Sequence, residues 1–323
     1  MQLYPLRFKP LFKYRLWGGD KLRTSLRKEY EGKNIGESWE ISDVEGSETL
    51  VAQGALEGYT LRQLIATFKE DFLGTEVYQR FGTAFPLLIK FIDAQQALSV
   101  QVHPHDALAR ERYDSFGKNE MWYIMEAEKD AELIVGFKET IDQNIYEAHL
   151  HQGTVLEILN VEQVNRGDVY HIPTGRVHAI GAGVLLAEIQ QTSDITYRIY
   201  DYDRVDAKTG VTRELHNEQA LAAIDFSAQP SYHTPYTVLE NESQPIVQTP
   251  YFKTNILSVT TAIEKDYSAL DSFVIYMCVS GNLKLTYQSQ EYLMKIGETI
   301  LLPAAIERVT LAADEAQVLE IHL

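Results

Sequence analysis

Two residues able to grip one object stand two apart in Ala97-Leu98-Ser99-Val100-Gln101-Val102-His103-Pro104. The stretch alternates as a half-buried strand does, with Leu98, Val100 and Val102 on one face and Ser99, Gln101 and His103 on the other. Side chains two apart on a strand point the same way, so an amide oxygen and an imidazole face a common point. Glu120 and His178 are the natural candidates to complete a metal site with them. Four ligands drawn from separate stretches need strands that pack around one interior.

The 323 residues, 45% hydrophobic and 11% aromatic, suffice for one large or two moderate cores. A formal charge of −17 argues against nucleic acid or an anionic membrane as partner, because those interactions run on clustered Lys and Arg. A small anion needs only one or two local cations and stays open. The single cysteine, Cys278, excludes an internal disulfide framework and a Cys-rich zinc site, and its apolar surroundings read as a buried small hydrophobe. Met1–Leu6 has no signal-peptide core, and no run reaches the roughly 20 apolar residues of a membrane span. A cytoplasmic monomer or weak homodimer is expected.

Residues 1–57 read as short strands broken at Gly18-Gly19, Gly32, Gly36 and Gly46. Trp17 is either packing or a substrate-facing aromatic. Thr60 is a good N-cap for Leu61, Leu64, Ile65 and Phe68 at helical spacing, and a second helical piece follows around Glu76–Phe81. Pro86–Ala94 reads as a buried strand with one charge, Lys90, which is either snorkelling, paired or turned to a site. Asp106–Tyr113 reads as a short helix, with His105 before it as a loop residue. Met121–Met125, Ala131–Phe137, Val155–Leu159, Val184–Gln190 and Thr196–Tyr200 read as strands, Ile141–His149 as a helical interruption, and Asn217 as the cap of a helix through Ala223. Four prolines in residues 228–250 mark a domain boundary, and only strand-like runs follow. The class is mainly β with inserted helices.

The chain also repeats itself. Gly167-Asp168 starts a strand with Pro173 six residues after the Gly, and Gly297-Glu298 does the same with Pro303. An apolar hairpin is expected upstream of each, over Leu156–Val164 and Leu283–Leu293. His178 of the first copy falls on Arg308 of the second. The string from Gly167 through Pro173 and Gly175 to His178 resembles the second signature motif of the cupin superfamily. That resemblance implies two jelly-roll β-barrels, the first metal-binding and the second degenerate. Residues 1–235 would form a catalytic domain with helical insertions at about 60–82, 106–116, 141–149 and 217–224, and residues 236–323 a barrel without metal.

Cupins place a histidine where this chain has Gln101, and their glutamate arrives sooner than Glu120. Gln101 and His103, Gly117-Lys118-Asn119-Glu120, Pro173-Thr174-Gly175-Arg176-Val177-His178, Glu188 and Tyr197-Arg198 together resemble the type I mannose-6-phosphate isomerases in their short bacterial form. The likeness runs from Tyr14-Arg15-Leu16-Trp17-Gly18-Gly19 to the C-terminus. It departs at Lys118-Asn119-Glu120, where the family often has Lys-Pro-Glu. It implies one zinc ion per chain on Gln101, His103, Glu120 and His178. Imidazole and carboxylate suit zinc, and an amide oxygen adds no charge, so the metal stays a Lewis acid.

The implied reaction interconverts mannose 6-phosphate and fructose 6-phosphate through a cis-enediolate. Its oxygens need charge stabilisation, and a base must reach C1 and C2. Arg198 matches the family's active-site arginine, ten residues after Glu188; we expect Arg198 with the metal on the enediolate, and Glu188 or metal-bound water on the proton. The resemblance puts Ser99 and Lys118 on the phosphate side; Lys90, a charge in a buried strand, and Trp17 are expected as further substrate contacts. The alternatives are a metal-dependent bicupin dioxygenase, a non-catalytic sugar-binding bicupin, and an isomerase of another phosphorylated aldose.

Overall fold

The computed structural model describes residues 2–323. Alternation along the strands sorts side chains between two faces, and two sheets share the faces so made. A six-stranded sheet runs in the order Val169–Ile172, Glu120–Ala127, Val184–Gln191, Leu87–Ala94, Leu11–Gly19, Ile35–Ile41. A five-stranded sheet runs Leu159–Gln163, Glu132–Phe137, His178–Ile180, Val100–Val102, Tyr197–Tyr200. Trp122, Ile124 and Ile172 of the first meet Leu133, Val135 and Ile180 of the second in one buried cluster, so the two sheets face each other.

Their outer faces are covered differently. Val100, Val102, Ala179 and Tyr197 pack under Tyr146 of helix Gln143–Gln152 and Ala220 of helix Asn217–Leu221. Ile89, Phe91, Met121 and Ile189 pack against Ile275, Met277, Leu319 and Ile321. The latter four belong to an eight-stranded sheet that begins at Ser243–Gln248 and ends at Ala316–His322. The mainly β class with inserted helices is what the chain adopts.

The helical stretch after Thr60 forms, with Thr60 and Gln63 closing a reciprocal capping box. It is cut into Leu61–Phe68, Glu70–Leu73 and Thr75–Phe81 at Lys69 and Gly74, whose φ angles are +49° and +91°. Asp106–Tyr113 forms as expected, but His105 is more than loop: its Nδ1 accepts from Leu108 N at 3.3 Å and caps the helix. The cap of the 217–221 helix is His216, and Asn217 is its first residue.

Val155–Leu159 departs from expectation. Val155–Ile158 is a single 3₁₀ turn, and the strand is Leu159–Gln163. Val155 and Leu159, four apart, are the buried pair, while Leu156 is 37% exposed; the apolar run had helical spacing inside it. The hairpin expected over Leu156–Val164 is therefore absent, and Leu159–Gln163 pairs only with Glu132–Phe137. In the second copy the hairpin exists, from Leu283 to Met294 across Gln288-Ser289.

The repeat is spatial as well as sequential. Val169–Ile172 pairs with Glu120–Ala127, and Thr299–Leu302 pairs with Val274–Tyr287 in the same antiparallel sense. His178 and Arg308 each open the strand after the equivalent turn, but their side chains part company. His178 is fully buried opposite Gln101, whereas Arg308 is exposed on Asp266, and Val309 turns inward opposite Lys265. Strand phase, not alignment, decides which side chain enters the interior.

Candidate active site

The two facing sheets contribute opposite walls. From the five-stranded sheet come Gln101 on Val100–Val102, His178 at the start of His178–Ile180 and Arg198 on Tyr197–Tyr200, with His178 and Arg198 both registered on Gln101. His103 lies one residue beyond its strand, before Pro104. From the six-stranded sheet come Glu120, Glu188 and Lys90, with Glu188 registered on both Trp122 and Lys90.

His103, Glu120 and His178 converge, with ligand atoms all within 4.8 Å of one another and every side chain buried. His103 Nε2 is 3.5 Å from Glu120 Oε2, and His178 Nε2 is 3.4 Å from Oε1. Each ring is aimed by its other nitrogen: His103 Nδ1 lies 3.0 Å from Ile195 O, and His178 Nδ1 lies 2.8 Å from Arg176 O. A ring that donates to a carbonyl through Nδ1 presents the Nε2 lone pair to the centre, the arrangement of a metal-ligating histidine. The Gln101 amide stands 3.2 Å from His178 Nε2, where turning the amide end over brings its oxygen to the same place.

The electrostatics suit a cation. Burial holds His178 down to about 3, and burial followed by Lys118 and His178 holds His103 well below its ordinary range, so both imidazoles are neutral. Burial lifts Glu120 to about 7 despite Lys118. Neither Glu120 oxygen has a hydrogen-bond partner, and Lys118 Nζ approaches Oε2 at 3.0 Å as an ion pair without hydrogen-bond alignment. Two neutral imidazoles, a buried carboxylate without hydrogen bonds and an adjacent amide fit a divalent metal ion.

Beside the trio, Lys90 Nζ donates to Glu188 Oε1 at 2.9 Å and to Gln190 Oε1 at 2.6 Å, and Trp122 Nε1 donates to Glu188 Oε2 at 3.0 Å. Burial raises Glu188, but Lys90 and Lys118 outweigh it and keep the carboxylate ionised below its usual range. Lys90 is thus both paired and turned to a site. Burial lowers Lys118, but Glu120 and Glu188 outweigh it and raise the ammonium above its usual range. Its Nζ is also 3.1 Å from His103 Nε2, at the metal-ligand end. Ser99 lies elsewhere, its Oγ accepting from Arg198 Nε at 3.3 Å.

A cavity of about 410 Å³ opens onto this ground, lined by Trp17, Lys90, Ser99, Gln101, Lys118, Glu188 and Arg198 among others. Arg15, Lys90, Lys118, Arg198 and Arg213 outnumber Glu37, Glu188, Asp194 and Asp206 along its walls, a local positive balance in a chain of net charge −17. The trio lies behind Gln101 and Lys118.

The chain is similar to known proteins over nearly its whole length. Residues 6–148 match the family described as "Phosphomannose isomerase type I, catalytic domain", and residues 242–323 match "Mannose-6-phosphate isomerase, cupin domain". Mannose-6-phosphate isomerase ManA of Bacillus subtilis is 34% identical over 94% of this chain and 94% of its own. The chain belongs to the type I phosphomannose isomerases. The mannose-6-phosphate isomerase of Streptococcus mutans is 31% identical over 94% of this chain and 93% of its own. A crystal structure of the mannose 6-phosphate isomerase from Bacillus subtilis, 30% identical, superposes with a TM-score of 0.91 over 99% of this chain and all of that one. Membership of a type I phosphomannose isomerase family favours the isomerase over the dioxygenase and the non-catalytic sugar binder.

Some lining residues of this phosphomannose isomerase site carry no mark of their own in the sequence. Arg15 clamps Glu37 through two hydrogen bonds of 2.9 Å, and Trp39 Nε1 donates to the same carboxylate at 2.7 Å. Burial raises Glu37, but Arg15 and Lys90 outweigh it and bring it to about 2. Arg15 falls inside the Tyr14–Gly19 motif and Glu37 inside Glu37-Ser38-Trp39-Glu40, so both strings were visible although their meeting was not. Arg213, Asp194 and Asp206 arrive from loops with no signal at all. Cys278 is buried, with its thiol pushed up to about 12, and takes no part.

Proposed function

We propose that this chain interconverts mannose 6-phosphate and fructose 6-phosphate in the cavity between the two sheets, with zinc on His103, Glu120, His178 and Gln101. The observation that carries the reading is the buried trio, with a carboxylate that has no hydrogen-bond partner, at the end of a cation-rich cavity. Zinc bound there supplies Lewis acidity toward the oxygens on C1 and C2.

The rest falls to side chains. Glu188, ionised and fixed by Lys90 and Trp122, is the carboxylate placed to move the proton between C1 and C2 in a cis-enediolate path. Trp17 and Trp39 wall the cavity and exclude water from the sugar ring. The geometry supports exchanging two roles. Lys118, 3.0 Å from Glu120, sits at the reacting end and stabilises charge developing on the oxygens there. The Arg198 guanidinium is held by Ser99 Oγ and by Glu214 O at 2.8 Å, with Arg213 near, and this end suits a dianionic phosphate at the far carbon of the hexose. We read residues 1–235 as the catalytic barrel with helical insertions and residues 236–323 as a second, metal-free one.

The test is a coupled assay for fructose 6-phosphate formed from mannose 6-phosphate, before and after chelation and zinc restoration. Activity that chelation removes and zinc restores is expected; none after restoration refutes the reading. Arg198→Ala should raise KM for the phosphorylated sugar and abolish inhibition by inorganic phosphate, while Lys118→Ala should lower kcat. The opposite split returns both residues to their first roles.

A further inference from the structure

A second and larger cavity, about 620 Å³, lies among residues 2–4, residues 53–55 and the turn joining strands Val274–Tyr287 and Gln290–Lys295. Its volume is within the roughly 300–1,000 Å³ of small-molecule sites. Three tyrosines and four glutamines dominate its walls, and none of its described lining residues is charged, although 23% of the chain is.

The aromatic floor is built rigidly. Tyr4 Oη donates to Gln53 O and accepts from Leu56 N, both at 2.9 Å. Gly54, at φ +88°, has no side chain because the Tyr4 ring lies where a Cβ would stand. The turn is unusual too. Gln288 and Ser289 hold φ angles of +47° and +65°, a left-handed pair normally given to glycine or asparagine, and such strain gathers at ligand clamps. Gln2 Nε2 donates to Gln288 Oε1 at 3.0 Å, and Gln288 Nε2 donates to Tyr287 Oη at 3.1 Å, which ties the two sides of the opening together. Among the described residues, Gln53 and Gln290 make no side-chain hydrogen bond and Tyr292 Oη makes none.

This chemistry selects its ligand. A charged molecule would find no counter-charge on these walls, and a wholly apolar one would strand carboxamides and phenols. A carboxamide offers a donor and an acceptor side by side, which matches two neighbouring hydroxyls, and a tyrosine ring covers the C–H face of a sugar. We propose that this cleft binds a neutral, unphosphorylated hexose or hexoside, separately from the cavity that holds the metal ligands. The proposal stands on the cleft alone and does not depend on the isomerase reading.

The test titrates the metal-loaded protein with methyl α-mannoside and methyl α-glucoside, closed unphosphorylated rings, by calorimetry and by saturation-transfer NMR. Binding is expected, unaffected by saturating mannose 6-phosphate and unchanged in Arg198→Ala. Gln288→Ala and Gln290→Ala, both at exposed positions, should each weaken it about fivefold, the effect of losing one neutral hydrogen bond, with turnover of the phosphorylated sugar unaltered. Tyr292→Phe, which keeps the packing and removes only the hydroxyl, should weaken it similarly. Absence of binding at about 100 mM glycoside, where even a millimolar site fills, overturns the proposal. So does competition by mannose 6-phosphate, or equal binding by the Gln288→Ala/Gln290→Ala double variant.

Discussion

Replacing Lys90 by Met tests the buried electrostatics of the cavity most sharply. Lys90 and Glu188 have side-chain exposures of 6% and 4%, and their 2.9 Å contact is the strongest influence holding Glu188 ionised. In Lys90→Met the carboxylate keeps only Trp122 Nε1 as a donor, and Gln190 Oε1 loses its 2.6 Å partner. Removing one member of a buried pair costs roughly 3–5 kcal/mol, and because Lys118 still acts on Glu188 the lower end, about 3 kcal/mol, is expected. Methionine fills nearly the lysine's volume, so no cavity cost is added. The sign with pH follows. Glu188, held below its unfolded value, adds stability above that value and loses it as pH falls. Loss of Lys90 moves it upward, so the deficit is fully present while Glu188 is ionised and shrinks as acid protonates it. Urea unfolding followed by tryptophan fluorescence measures both, and Lys90→Met/Glu188→Gln should recover most of the loss. A deficit under about 1 kcal/mol, or a double variant no better than the single, refutes the reasoning.

Other sites make independent predictions. Asp93 Oδ2 accepts from Lys21 N at 2.6 Å, and burial lifts its carboxyl to about 6. A carboxyl raised above its unfolded value favours the fold below that value and loses this as pH rises through the folded one. Asp93→Asn should therefore gain up to about 2–3 kcal/mol above pH 6 and little at about pH 4, read by urea melts across that range. Gly136, at φ +70°, has the Tyr232 ring where a Cβ would stand, so Gly136→Ala should cost roughly 3 kcal/mol, and an unchanged melting temperature would contradict this close approach. Thr60→Ala removes half of a capping box and should cost about 1 kcal/mol, with Thr60→Ser restoring most of it in the same melts.

Much of the candidate site was legible in the sequence because strands have a period of two. Ser99, Gln101 and His103 had to share a face, and Lys118 and Glu120 had to share a side; Ser99 and Gln101 line one cavity, His103 meets Glu120, and Lys118 pairs with that glutamate. The class and the inserted helices followed from spacing and caps, as at Thr60. Short apolar runs were weaker guides: Val155–Leu159 carried both helical and strand spacing, and its neighbours chose a 3₁₀ turn.

Local pattern alone determined which residues face inward along one strand; it could not determine what waits across the gap. Lys90 was a charge in a buried strand until the register of Leu87–Ala94 on Val184–Gln191 set Glu188 opposite it. Arg15 and Glu37 were ordinary residues until their two strands paired. Arg308 aligned with His178, yet strand phase turned it to solvent and sent Val309 inward. Register and loop course depend on the packing of whole sheets, so residues far apart in sequence acquire partners only when the sheets close on each other.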